Sequence, residues 1–139
     1  MSGSLKQIAD RLGGVACLFA VLLCAAFPGC DSGARESAPV NASVARDTLE
    51  RVMETWKQGQ SADALQKQSP AIVVQDLDWT SGMKLMGYEI AGEGKESGAN
   101  LIAQVKLTLA DNQGAQTEKT VTYVVGTAPV LTVFRDLLN

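Results

Sequence analysis

The sequence contains no histidine among its 139 residues, and this absence removes several kinds of chemistry. A Ser-His or Cys-His nucleophile pair cannot form, because histidine is the general base of both pairs. The commonest metal ligand, and the side chain that most readily titrates near neutral pH, is missing as well. The sequence therefore favours a protein without catalytic activity, without a cofactor and without a metal site.

Clusters of basic residues are also lacking. Twelve Lys and Arg residues stand against 15 Asp and Glu residues, which gives a formal net charge of −3. The basic residues are scattered singly, and no stripe of them could follow a phosphate backbone. Nucleic acid is therefore not expected as a partner.

The first thirty residues have the pattern of an export signal. A basic leader precedes an apolar run at residues 15–27, and Pro28 follows it. The run of about 13 residues is shorter than the ~20 that a membrane-spanning helix needs. Gly29 and Cys30 resemble the lipobox of bacterial lipoproteins, in which a small residue precedes a cysteine that is lipidated and becomes the new amino terminus.

This resemblance implies that residues 1–29 are a signal peptide and that Cys30 is the lipidation site. The rest of the chain would then lie outside the cytoplasm, on the periplasmic side of the cell envelope, with the membrane as a partner through the lipid anchor. Cleavage removes two of the three cysteines, so the mature chain would form no disulfide. An uncleaved signal anchor is the alternative, and it places the rest of the chain on the same side.

The remaining residues predict a tether followed by one domain. Loss of Lys6, Asp10 and Arg11 with the leader leaves ten basic and fourteen acidic residues. Residues 30–41 are small, polar and unpatterned, which is typical of a flexible tether. Residues 42–139 are enough for a single domain but not for two.

The first part of this domain has the apolar spacing of an amphipathic helix. Residues 44–58 repeat apolar side chains every three or four positions, with Asn41 or Ser43 as the N-cap and Gly59 at the end. Ser61 is expected to cap a second, short helix. The apolar face of the first helix consists of Ala45, Leu49, Val52, Met53 and Trp56.

After Pro70 the period of the apolar pattern changes to two, which predicts strands. Four or five strands are expected, at residues 72–74, 85–92, 101–109, 117–125 and 130–134. The connections between them are rich in turn-forming residues, which implies an antiparallel meander. These connections are residues 92–98, 111–114 and 126–129.

A long helix, a short helix and then a meander is an order that resembles the cystatin-like cone and the nuclear-transport-factor-2-like superfamily. The resemblance covers residues 44–134, including the helix that carries Trp56. It implies an α+β fold in which a curved antiparallel sheet of four to five strands packs around the long helix, often with a pocket at the wide end. The third helix of that superfamily has a place only at residues 76–84, where Gly82 keeps it short. A cystatin-like domain without a pocket, and a β-sandwich with a helical cap, are alternatives.

Two stretches imitate catalytic motifs but lack their context. Ser81 and Lys84 have the S-x-x-K spacing of serine acyl enzymes, yet the companion motifs are absent and a strand follows. Residues 92–95 resemble a phosphate-binding loop, but Glu96 stands where that loop needs Ser or Thr. Both stretches are interpreted as loops.

Asp76 and Asp78 form the one constellation with candidate chemistry. In an extended chain their carboxylates lie on one side, about 7 Å apart, where they could share a cation or a proton. With Tyr88 they would form a proton-abstracting group for a carbonyl compound, as in isomerase-like members of the superfamily. The interpretation we favour is a solvated turn, with both carboxylates in water and Trp79 packed on the core.

Two classes of function follow from these observations. The first is a membrane-tethered binding or interaction module without chemistry, whose protein or small-molecule partner the sequence does not identify. The second is a small pocket enzyme of the polyketide-cyclase or isomerase type, with Asp76, Asp78, Trp79 and Tyr88 lining the pocket. The almost entirely aliphatic inward positions of the predicted strands favour the first class.

Overall fold

A computed structural model describes residues 38–138 of the chain. The predicted signal peptide, Cys30 and most of the predicted tether lie outside these residues. The described part contains three helices and five strands. In chain order they are α1 (Ala42–Lys57), α2 (Asp63–Gln66), β1 (Ile72–Gln75), α3 (Leu77–Thr80), β2 (Lys84–Ser97), β3 (Asn100–Ala110), β4 (Gln116–Gly126) and β5 (Leu131–Asp136).

Helix α1 covers most of the predicted range, but it begins two residues earlier, at Ala42, and ends one residue earlier, at Lys57. The Asn41 side chain accepts a hydrogen bond from the backbone N–H of Val44 at 3.1 Å, which caps the helix. The chain leaves the helix through Gly59, whose φ of +76° suits a residue without a side chain. The predicted cap at Ser61 is wrong, because α2 begins after Ala62 without a side-chain cap. No helix within residues 38–138 combines the length and the apolar character that crossing a bilayer requires.

The five strands form one mixed sheet in the order β1-β5-β4-β3-β2. Strands β2 to β5 are antiparallel neighbours, as their short connections predict. The prediction of a wholly antiparallel sheet is wrong for β1, which pairs in parallel with β5. Turn chemistry predicts pairing only between consecutive strands, whereas β1 joins the far edge of the sheet. There Ile72 and Val74 extend the buried face beside Val133.

Strand β2 is longer than its apolar pattern predicts. Residues 92–98, expected to be a connection, continue the strand as far as Ser97 and pair with the start of β3. A register shift between Ala91 and Lys95 absorbs the extra residues as an irregularity of the ladder. Gly94 lies at this point with φ +82°, and a Cβ there would be 3.0 Å from the carbonyl oxygen of Ile102. The glycines therefore permit an irregular strand. The connection between β2 and β3 is shorter than predicted, because only residues 98–99 separate the two strands.

Helix α1 lies on one face of the sheet and contacts β2, β3, β4 and β5. Its predicted apolar face is buried in full, which confirms that part of the sequence interpretation. The domain is therefore α+β, with one apolar core between helix and sheet. The largest fully buried side chains are Leu49, Met53, Leu65, Ile72, Leu101, Leu107, Leu109 and Tyr123.

Candidate functional site

Asp76 is the single residue between β1 and α3, and it is buried. Its exposed fraction is 5%. One carboxylate oxygen caps α3 by accepting a hydrogen bond from the Trp79 N–H at 3.0 Å. The other accepts a hydrogen bond from the Tyr123 hydroxyl at 2.6 Å. The expectation that Asp76 lies in water is therefore wrong.

Asp78 lies two positions further along the chain, on α3, and pairs with two cations. The Lys119 ammonium is 2.7 Å from its carboxylate, and the Arg135 guanidinium donates a hydrogen bond to the same oxygen. The same guanidinium nitrogen is 3.8 Å from Asp76. The two carboxylates thus share a cation, an arginine of the protein itself, although Asp78 lies on a helix and not in the extended chain that the spacing argument assumed.

These five residues, Asp76, Asp78, Lys119, Tyr123 and Arg135, form the Asp76 cluster. Burial alone would raise the pKa of Asp78, but the hydrogen bonds and charges of Lys119 and Arg135 outweigh it and lower that pKa. Burial would lower the pKa of Arg135, yet the two carboxylates raise it. Burial, together with the neighbouring Asp76 carboxylate, raises the pKa of Tyr123. The cluster therefore favours the charged forms of Asp78 and Arg135 and the neutral form of the Tyr123 phenol.

The cluster fastens α3 to strands β4 and β5. Within residues 38–138, no buried side-chain nitrogen or oxygen lacks a hydrogen-bond partner. Lys119 and Arg135 make Asp78 a poor proton acceptor, because protonation would weaken its contacts with both cations. The arrangement suits a structural role for Asp76 and Asp78.

Tyr88 is not brought to this cluster. It lies on β2, the opposite edge strand from β1, and its hydroxyl donates a hydrogen bond to Glu54 of α1 at 2.8 Å. Burial, followed by the hydrogen bond and charge of Glu54, raises the pKa of Tyr88 to about 12. The predicted grouping of Tyr88 with the two aspartates is therefore wrong, since the tyrosine that contacts Asp76 is Tyr123.

Sequence reasoning missed Lys119, Tyr123 and Arg135 as partners of the aspartates. One signal was present, because the alternation in β4 places Tyr123 on the apolar, inward face. A buried tyrosine hydroxyl needs a hydrogen-bond partner, and an aspartate elsewhere in the chain is a suitable acceptor. The two cations give no such signal, since their positions on adjacent strands become neighbours only in the folded sheet.

Trp79 lies on α3 beside the Asp76 cluster and stacks on Trp56 of α1. The ring centroids are 5.2 Å apart and the planes differ by 8°. Trp56 donates its indole N–H to the Met83 carbonyl oxygen at 2.9 Å, and Trp79 donates to the Gln60 carbonyl oxygen at 3.1 Å. Trp79 packs against the hydrophobic core, as predicted. The two indoles join the end of α1 and the residues after it to α3 and to the residue before β2.

A groove of about 610 Å³ opens beside this stacked pair. We call it the tryptophan groove. It lies between the end of α1, the segment leading to α2, the end of α3 and the start of β2. Its apolar lining includes Trp56, Trp79, Met83 and Met86, and its charged lining includes Lys57 and Lys84. Of the predicted pocket residues, only Trp79 lines it.

No protein-family model, curated protein or solved structure was found that matches the chain. Among residues 38–138, no group of three or more acidic or cysteine side chains is placed to hold a metal ion. The geometry of the Asp76 cluster and of the tryptophan groove therefore carries the functional argument.

Proposed function

We propose that the chain is an extracytoplasmic lipoprotein, tethered through Cys30, whose domain binds a partner in the tryptophan groove without catalysing a reaction. The observation that carries this proposal is the pairing of both candidate carboxylates with cations of the protein. A general base needs a lone pair available to the substrate. Both Asp76 oxygens accept hydrogen bonds within the protein, and one Asp78 oxygen is held by Lys119 and Arg135. The groove, in contrast, has the volume of known small-molecule sites, roughly 300 to 1,000 Å³.

The position of the groove supports a tethered binding module. The described chain enters α1 at Asn41, whereas the groove lies at Trp56 and Lys57, at the other end of the helix. A helix of 16 residues spans about 24 Å at 1.5 Å per residue. A domain held through the residues before Asn41 would therefore have the groove about one helix length from its point of attachment.

We also propose that the domain is a cystatin-like cone related to the nuclear-transport-factor-2-like superfamily. Support comes from the order of the elements, from α1 lying on the sheet, and from the one-turn α3 within residues 76–84. An experimental structure in which the sheet is flat, instead of curving around α1, would contradict this assignment.

Photo-crosslinking tests the binding function in cells that carry the full chain. A photoreactive phenylalanine at Met86, on the exposed rim of the groove, is compared with the same residue at Thr120, which is exposed on β4. We expect a defined adduct at Met86 that is absent at Thr120 and that weakens when Trp79→Leu is added. The same adducts at both positions, or none at Met86, would contradict a binding role for the groove.

The same experiment addresses the alternative of a pocket enzyme. A small molecule captured at Met86 is identified by its mass and incubated with the purified full chain. We expect it to be recovered unchanged. Conversion that is lost in Asp78→Asn, or in Tyr88→Phe, would replace the binding proposal with the enzymatic one.

A further inference from the structure

The tryptophan groove has two lysines that no carboxylate neutralises. Lys57 ends α1 and Lys84 begins β2, and both side chains are exposed on the lining. Neither forms an ion pair, whereas Lys106 and Lys119 each lie within 3.0 Å of a carboxylate. Asp63 is the single acidic residue of the lining. A chain with a net charge of −3 therefore has a local excess of positive charge at this groove.

The rest of the lining combines an apolar part, formed by the two indoles and the neighbouring methionines, with the polar side chains of Gln58, Gln60, Ser61 and Thr80. Both indole N–H groups of the stacked pair are already bonded to backbone carbonyl oxygens. Trp79, Met83 and Met86 therefore present ring carbons and thioethers to a ligand. Methionine adapts its shape to irregular apolar surfaces, and Met86 keeps 49% of its surface exposed.

We propose that the ligand of this groove is an amphiphilic organic anion. Its apolar body would lie against Trp79, Met83 and Met86, and its anionic group would lie beside Lys57 and Lys84. Charge complementarity selects an anion over a cation, and the apolar lining selects an organic body over an inorganic ion. This inference rests on the proposed function, since it names the ligand class of the same groove.

Two dyes with the same apolar body test the charge preference. 8-Anilinonaphthalene-1-sulfonate carries a sulfonate that N-phenyl-1-naphthylamine lacks. Trp56 and Trp79 are the only tryptophans of the chain, so quenching of tryptophan emission reports binding near the groove. The full chain is titrated with each dye in phosphatidylcholine vesicles, with vesicles lacking protein as the blank.

We expect the double variant Lys57→Gln with Lys84→Gln to raise the dissociation constant of the anionic dye about fivefold, in keeping with exposed charge pairs. The neutral dye should bind as before. The matched control, Lys67→Gln with Lys95→Gln, removes two exposed lysines outside the groove and should change neither dye. Added salt should weaken only the anionic dye.

Met86→Ser checks the apolar half of the proposal. Because Met86 is half exposed, the variant should fold, and it should weaken the binding of both dyes about twofold to threefold.

Two results would overturn the anion preference. One is an equal effect of the groove-lysine variant on the binding of the two dyes, and the other is an equal effect of the groove and control variants on the binding of the anionic dye. If that happens while the Met86 crosslink stands, only the ligand class is wrong. If the dyes behave as expected but no crosslink forms, the anion site stands and the proposed binding function fails.

Discussion

The Tyr123 hydroxyl donates a 2.6 Å hydrogen bond to the Asp76 carboxylate and so joins the centre of β4 to the start of α3. Both side chains are buried, and they are 47 positions apart in the chain. This contact gives the buried carboxylate a neutral donor beside the Arg135 cation. It also sets the position of α3, which carries Trp79 to the edge of the groove.

Tyr123→Phe should destabilise the domain by about 1 to 3 kcal/mol, because it leaves a buried carboxylate oxygen without its hydrogen-bond donor. Chemical denaturation of the purified protein measures this loss in the free energy of unfolding. Tyr88→Phe is the matched control, since its hydroxyl bonds to Glu54 at the surface, and it should cost less than about 1 kcal/mol. Equal losses in the two variants would contradict a special role for the Tyr123 contact.

Asp78→Asn should destabilise the domain at neutral pH by about 1 to 3 kcal/mol, because it removes hydrogen bonds to two cations. The pKa of Asp78 is lower in the folded protein, so its contribution is complete above the unfolded value of about 3.9. That contribution is lost as the pH falls through the folded-state pKa. The stability difference between wild type and variant should therefore shrink on acidification.

Denaturation curves recorded from pH 7 down to about pH 2 measure this convergence, most of which falls below the unfolded pKa. Asp47→Asn, at an exposed position of α1, is the control and should change stability by no more than about 0.5 kcal/mol. Replacement of both Asp76 and Asp78 by Asn should lower the free energy of unfolding by more than about 0.5 kcal/mol. A double variant as stable as the wild type would restore the interpretation in which the carboxylates lie in water.

The two tyrosines of the chain should both resist ionisation in the folded state. Burial and Glu54 raise the pKa of Tyr88 to about 12, and burial beside Asp76 raises that of Tyr123. Tyrosinate absorbance should therefore be absent near pH 10, where an unfolded chain titrates. Because the folded pKa values are the higher ones, stability should fall as the pH rises above about 10. In Tyr88→Phe, the absorbance step near pH 12 should disappear.

Trp56→Ala should cost about 3 to 5 kcal/mol, as large aromatic truncations in cores do. The side chain is 2% exposed, stacks on Trp79 and bonds to the Met83 carbonyl oxygen. Chemical denaturation followed by circular dichroism measures the loss. A loss under about 1 kcal/mol would mean that α1 is not held to the sheet by this residue.

Cys30 should be the first residue of the mature protein and should carry the lipid anchor. Several acyl chains hold a protein stably at a membrane where a single chain does not. Mass spectrometry of the protein from the membrane fraction determines both the amino terminus and the modification. An intact leader, or an unmodified Cys30 in that fraction, would favour the uncleaved signal anchor.

The sequence by itself determined the local structure. The spacing of Ala45, Leu49, Val52, Met53 and Trp56 predicted α1 and its buried face, and Asn41 and Gly59 predicted its ends. The alternation of side chains and the turn-forming residues predicted β3, β4 and β5, as well as the short connection at residues 111–114. These features depend on neighbours within a few positions, so a single sequence contains the information.

Only the tertiary structure decided which distant residues meet. The parallel pairing of β1 with β5 brings α3 over the sheet, where Asp76 reaches Tyr123 and Asp78 reaches Lys119 and Arg135. Whether a carboxylate lies in water or in an ion pair depends on these contacts, because charge and burial act through space and not along the chain. The tryptophan groove exists for the same reason, since the ends of α1 and α3 and the start of β2 become neighbours only when the chain has folded.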